Sequence, residues 1–313
     1  MPPRASLQLP ESRWVDVDGP VHYRRWDGPA EGPTFVCVHG FAGSQLNWAL
    51  AAPGLARMGR VLALDLAGFG ETPLAGRGAD AASSTRLLDG FIRALELPPV
   101  ILVGNSMGGR IALLQAATAP ETIRSLVLVD AAFPRDRLRA PHTAPKVAAG
   151  MVAMSSGSRL AARAARARAR SLGAERLVRE TLRLCTVDVS RVDPALIDMM
   201  VELAERRQLN PDVLAALSQA ARSLTGDYVL PEAYRRQVRH IDHPALVIHG
   251  LHDLLVPVAF ARRAVRDHPH WDLVVFSDLG HVPMIEAPQR FVAVVEAWLV
   301  GRGGTSSGAS AGA

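Results

Sequence analysis

The sequence predicts an α/β protein, a mostly parallel sheet with helices on both faces and an all-helical insert. Three observations predict it. Short apolar runs of strand length alternate with amphipathic helical stretches up to Asp130. Most of those runs are apolar throughout, as in strands covered on both faces. The alternation then stops, gives way to helix signals alone, and resumes at Ala245.

The elements follow in order. Trp14–Val17 alternates, Asp18-Gly19 supplies a turn, and Val21–Trp26 returns as the second arm of a hairpin. Thr34–Val38 is a buried strand and Trp48–Met58 a short helix. Val61–Leu66 is the next strand. Ala81–Leu97 is a helix with Leu87, Leu88, Phe91, Ile92 and Leu95 on one face. Val100–Val103 is a strand, and Met107–Ala119 a helix stopped by Pro120. Leu126–Val129 closes the first half. After the break come a strand at Ala245–Ile248, a helix at Ala259–Asp267, a strand at Leu273–Phe276 and a helix at Gln289–Leu299.

The interruption reads as four helices. Ser158–Leu172 and Ala174–Leu184 are parted by Gly173. Asp193-Pro194 and Asn210-Pro211 each pair an N-cap with a proline at the first helical position, before Ala195–Gln208 and Val213–Leu224. The expected division is therefore core over 1–132, helical cap over 133–242, core again over 243–300, and a Gly/Ser/Ala-rich disordered tail over 301–313.

Composition excludes several classes. The two cysteines, Cys37 and Cys185, provide neither a disulfide framework nor a paired-cysteine metal site. The N-terminus lacks a signal-peptide core, and no apolar run reaches the roughly 18 residues of a membrane span. The expectation is a cytoplasmic protein without integral membrane association, metal or cofactor, and with no nucleic-acid partner. A homodimer stays open. Positive charge concentrates in the insert, where 133–242 hold 19 basic and 12 acidic residues against 16 and 18 elsewhere.

The chemistry lies just beyond the strands, where open α/β sheets bind ligands. After Val103 comes Gly104-Asn105-Ser106-Met107-Gly108, a G-x-S-x-G turn that would expose the Ser106 hydroxyl between strand and helix. After Val38 comes His39-Gly40-Phe41-Ala42-Gly43. The N–H groups of Phe41 and Met107 are the expected donors to an oxyanion. Asp253 follows the strand ending at Ile248, and His281 follows the strand ending at Phe276. The chain order Ser, Asp, His is that of a nucleophile, an orienting acid and a general base on this type of sheet.

Taken together, HGFAG at 39–43, DLAGFGET at 65–72, GNSMGG at 104–109, GLHDLLVP at 250–257 and GHVPMIEAP at 280–288 resemble the α/β-hydrolase superfamily, in its helical-cap branch. The resemblance spans Thr34–Leu299 apart from the cap. It implies the α/β-hydrolase fold, with eight strands and the cap inserted after the sixth. It also implies Ser106 as nucleophile, Asp253 as acid, His281 as base, and Phe41 and Met107 at the oxyanion hole. Relatives that use Asp as nucleophile carry it where Ser106 stands, which disfavours dehalogenase and epoxide hydrolase activity. Asp130, at the end of its strand, is a reserve candidate for the acid. Asp65, His39, His252 and Asn105 read as structural.

The expected activity is hydrolysis of a carboxylic ester of a small to medium apolar substrate. The alternatives are a carbon–carbon hydrolase of the meta-cleavage-product type, an acyltransferase and a non-catalytic ligand-binding homologue. Relatives of the carbon–carbon type usually have a Gly-richer segment than 39–43. Trp48, Met199 and Met200 are candidates to line the substrate pocket, as are Phe69, Met151 and Met154. Arg159, Arg163, Arg166 and Arg170 share one helical face, which reads as a solvated face or a surface for an anionic ligand.

Overall fold

Among the described residues, eight strands hydrogen-bond into one sheet in the order β1-β2-β4-β3-β5-β6-β7-β8. They are β1 (Ser12–Asp16), β2 (Pro20–Trp26), β3 (Thr34–Val38), β4 (Arg60–Leu64), β5 (Val100–Asn105), β6 (Ile123–Val129), β7 (Ala245–Gly250) and β8 (Asp272–Phe276). The structure is a computed structural model describing residues 7–134, 145–208, 210, 212–229 and 231–306. β1 and β2 form the antiparallel hairpin, with Asp18 and Gly19 both at positive φ in its turn. β2 pairs antiparallel with β4, and every remaining pairing is parallel.

Successive side chains of the central strands divide between two cores, as strand geometry requires. Val36, Val38, Leu102, Leu128 and Val247 face one, packed by helices α2 (Ala81–Ala94), α3 (Met107–Thr118) and α9 (Val258–Asp267). Phe35, Cys37, Val103, Val127 and Ile248 face the other, packed by α1 (Ala52–Leu55), α10 (Pro283–Glu286) and α11 (Pro288–Ser306). No helix among the described residues is long and apolar enough to cross a membrane.

Between β6 and β7 lie α4 (Pro145–Ser155), α5 (Arg159–Cys185), α6 (Pro194–Gln208), α7 (Asp212–Val229) and α8 (Pro231–Val238). Gly173 interrupts α5 with φ 72° and ψ 165°, so it is two helices meeting at a break. α4 packs on α7, and α5 on α6. α8 behaves differently. Tyr234 and Val238 are buried in the first core, and the Tyr234 hydroxyl donates to the Ala132 carbonyl at 3.0 Å. The end of the expected cap segment thus packs as core.

Two further elements differ from expectation. Instead of one helix over Trp48–Met58 there is a 3-10 turn at Gln45–Trp48 and the single turn α1. Ser44 caps the first and Pro53 stands in the first turn of the second, which splits the segment. At the other end, α11 continues to Ser306, into the segment expected to be a disordered tail. Arg302 anchors this extension by donating to the His270 carbonyl and the Asp272 carboxylate, and by stacking on Trp298. Residues 307–313 lie outside the described residues.

Candidate active site

Ser106 occupies the turn between β5 and α3 with φ 54° and ψ −115°. That backbone conformation is costly for any residue with a Cβ. Three constraints hold it there. Its N–H donates to the Val129 carbonyl, and its carbonyl accepts from Ala132 and Arg110. Close approach completes the turn. A Cβ on Gly108 would lie 2.2 Å from the Val38 carbonyl oxygen, and one on Gly104 2.5 Å from that of Gly108.

The loop after β3 abuts this turn. A Cβ on Gly40 would lie 3.1 Å from the Ser106 Cβ. Among the described residues the N–H groups of Phe41 and Met107 have no protein acceptor. For Met107 the reason is its place at the start of α3, where helical N–H groups have no intrahelical partner. His39 serves the scaffold. Its Nδ1–H donates to the Gly40 carbonyl at 2.7 Å, and its Nε2 accepts from Leu66 at 3.1 Å.

Asp253 and His281 meet beyond β7 and β8. His281 Nδ1–H donates to Asp253 Oδ2 at 2.7 Å, and both side chains are buried. The other Asp253 oxygen accepts from Leu255 and Val256. Burial alone would push the Asp253 carboxyl up. His281, His249 and the Val256 N–H outweigh that and hold it below the ordinary carboxylate range. Asn105, beside Ser106, donates to the carbonyls of Val129 and His281, both at 3.1 Å. It thereby ties the elbow to the histidine loop.

Asp130 lies behind the pair at the end of β6, fully buried. Its Oδ1 accepts from Gly250 at 2.9 Å, while its Oδ2 has no hydrogen-bond partner among the described residues. One oxygen or nitrogen from each of Asp130, Asp253 and His281 falls within 4.8 Å of the others. Burial, and then the Asp253 charge, drive the Asp130 carboxyl well above its ordinary range. The acid hydrogen-bonded to His281 is Asp253, and Asp130 stands behind it.

Sequence reasoning passed over Glu286. It is buried, and its carboxylate accepts from Val187 (2.9 Å), Asp188 (3.2 Å) and Gly280 (3.0 Å). Beside it the His281 N–H donates to the Cys185 carbonyl at 2.7 Å. The end of α5 is thus bolted to the histidine loop. The available signal was an acid within the apolar stretch Val282–Ile285 and Ala287. Burial first, then Asp253 and Asp130, push the Cys185 thiol up to about 12, so it stays protonated.

The expected pocket residues separate. Trp48 is fully buried, with its ring 6.4 Å from that of Phe291. Phe69 is likewise buried, against His39. Met199 and Met200 are half-buried on α6 and pack against the second core, while Met151 and Met154 are half-buried on α4. Arg163 and Arg170 are exposed, and the side chains of Arg159 and Arg166 lie outside the described residues. His252 is exposed on its loop.

A family model for the alpha/beta hydrolase fold matches residues 33–288. The chain belongs to the α/β-hydrolase family. It is 27% identical over 289 residues to the dihydrolipoyllysine-residue acetyltransferase component of the acetoin cleaving system of Pseudomonas putida, covering 90% of this chain and 68% of that one. With a pimeloyl-[acyl-carrier protein] methyl ester esterase of Aeromonas hydrophila it shares 29% identity over 269 residues, 85% of this chain and 95% of the relative. A 2-hydroxymuconate semialdehyde hydrolase of a Pseudomonas species is 30% identical over 260 residues, with 80% and 79% coverage.

Proposed function

We propose that this α/β-hydrolase cleaves carboxylic esters of small to medium apolar substrates through an acyl-enzyme. The observation that carries the reading is the buried 2.7 Å His281–Asp253 hydrogen bond at the same end of the sheet as the strained Ser106 turn. In this reading Ser106 Oγ attacks the ester carbonyl and its proton passes to His281 Nε2. Charge that develops on the carbonyl oxygen meets the N–H groups of Phe41 and Met107, each such donor typically worth about 100- to 1,000-fold in rate. His281 returns the proton to the leaving alcohol. Water then attacks the acyl-Ser106, with His281 again taking a proton. Asp253 holds the imidazole in the tautomer that leaves Nε2 free.

The esterase among the relatives supports ester chemistry. The semialdehyde hydrolase favours carbon–carbon cleavage as the second reading. Against it, Ala42 stands at φ 58° in the oxyanion segment, where such relatives are richer in glycine. The first experiment is turnover of p-nitrophenyl esters from acetate to palmitate, with Ser106→Ala as control. Turnover lost in the variant supports ester hydrolysis, and the chain-length preference sizes the pocket. No turnover on any ester, with cleavage of a vinylogous diketone, transfers the assignment to the second reading. Acyl transfer to added alcohols in preference to water would mark a transferase.

A further inference from the structure

A second serine, on the opposite edge of the sheet from β7 and β8, carries the same relay of groups. Ser12 is exposed on β1, and its hydroxyl lies 3.0 Å from His22 Nε2. His22 is fully buried on β2, and its Nδ1–H donates to Asp65 Oδ2 at 2.7 Å. Asp65, beyond β4, is also fully buried. Its carboxylate accepts two backbone N–H groups besides, from Gln45 (2.7 Å) and Glu71 (3.0 Å). An acceptor bound by these donors keeps His22 in the tautomer that presents a lone pair to the Ser12 hydroxyl.

Two further residues complete the surroundings. Ser12 lies opposite Arg24 in the β1–β2 register, and Trp14 opposite His22, so all four side chains share one face. Arg24 Nε is a buried donor with no acceptor among the described residues. Trp14 is half exposed, with its ring 5.0 Å from that of His22. Arg24 is itself held by a hydrogen bond to the Pro10 carbonyl, so a hydroxyl paired with a buried base and an exposed aromatic surface stand together, apart from Ser106.

We propose that Ser12 is a second activated nucleophile, a site of stoichiometric acylation by activated esters. Ser12 Oγ forms a bond to the acyl carbon, and the bond from that carbon to the leaving aryl oxide breaks. The Oγ proton passes to His22 Nε2 and then to the departing oxide, leaving O-acyl-Ser12 and a phenol. The half-exposed Trp14 ring receives the aryl group.

The test uses the full chain with Ser106→Ala, so that the first site is silent. The protein is treated with p-nitrophenyl acetate, and acetyl occupancy is followed by peptide mass spectrometry. The exposed serines Ser156 and Ser190 in the same sample serve as references. Ser12 is expected to acetylate at least tenfold faster than either, and His22→Gln to cut its rate on the order of 100-fold, the lower range for loss of a positioned base. Because His22 is buried, urea-unfolded Ser106→Ala protein provides a second comparison, and there the Ser12 excess must vanish. Acetylation of Ser12 at the pace of Ser190, or an excess that survives unfolding or His22→Gln, would overturn the proposal.

Discussion

Replacing Glu286 by Ala removes one carboxylate and strands three backbone donors. A hydrogen bond to a charged group contributes about 1.5–3 kcal/mol net, so simple addition would exceed 4 kcal/mol. Addition overstates the loss, because the three bonds share one side chain. Surroundings decide how far. Glu286 borders a cleft of about 530 Å³ lined also by Leu50, Val192, Pro194, Ile285 and Gln289. The bonds from Val187 and Asp188 are part-buried, so water entering from the cleft can take over those donors. The bond from Gly280 is buried and has no such recourse. The expected cost is about 3–4 kcal/mol, most of it from the Gly280 donor. Urea unfolding at pH 7 measures it. Since Gly280 precedes His281, ester turnover should also fall about tenfold or more. Glu286→Gln keeps one carbonyl acceptor and should lose roughly half as much stability. A loss below about 1 kcal/mol for Glu286→Ala would refute the reasoning.

Other outcomes follow from the same geometry. Ser106→Ala should lower ester turnover by about 10⁴-fold or more while stability changes little, which a burst-free progress curve and an unchanged urea midpoint would report. The two buried acids respond to pH in opposite senses. The raised Asp130 contributes full stability below about pH 4, and that contribution is lost as pH climbs through its folded value. The urea midpoint of Asp130→Asn should therefore gain on the parent as pH rises above about 4, and parallel curves would contradict a raised Asp130. The lowered Asp253 contributes stability that is present above about pH 4 and lost as pH falls through its folded value. Asp253→Asn should flatten that acid limb and cut turnover about 10⁴-fold. Ala42→Gly relieves a positive φ and should stabilise the protein by about 0.5–1 kcal/mol, read as a higher melting temperature.

The legible part of the site was the part that follows a strand. Ser106, Asp253 and His281 each stand just beyond an apolar run, and that placement needs only local sequence. The register of β7 on β6 and β8 then brings Asp253 to His281. Trp48 shows where local reading fails. Its neighbour Phe291 lies far along the chain on α11, so local sequence could not foresee that Trp48 is fully buried. Glu286 failed for a related reason, since two of its three donors belong to the far end of α5. The arrangement of the inserted helices was not legible either. An apolar face says that a helix is covered, not which helix covers it.

The strained turn at Ser106 has a consequence for the whole chain. At φ 54° glycine is the residue the backbone prefers, so Ser106→Gly should yield a more stable and inactive protein. Stability and chemistry therefore pull against each other at one atom group, the Cβ and hydroxyl of a single side chain. A chain with no use for that hydroxyl would gain by discarding it. On the proposed reading, the strain at this serine is the cost of placing a nucleophile there, and Ser106→Gly tests that trade without reference to any substrate.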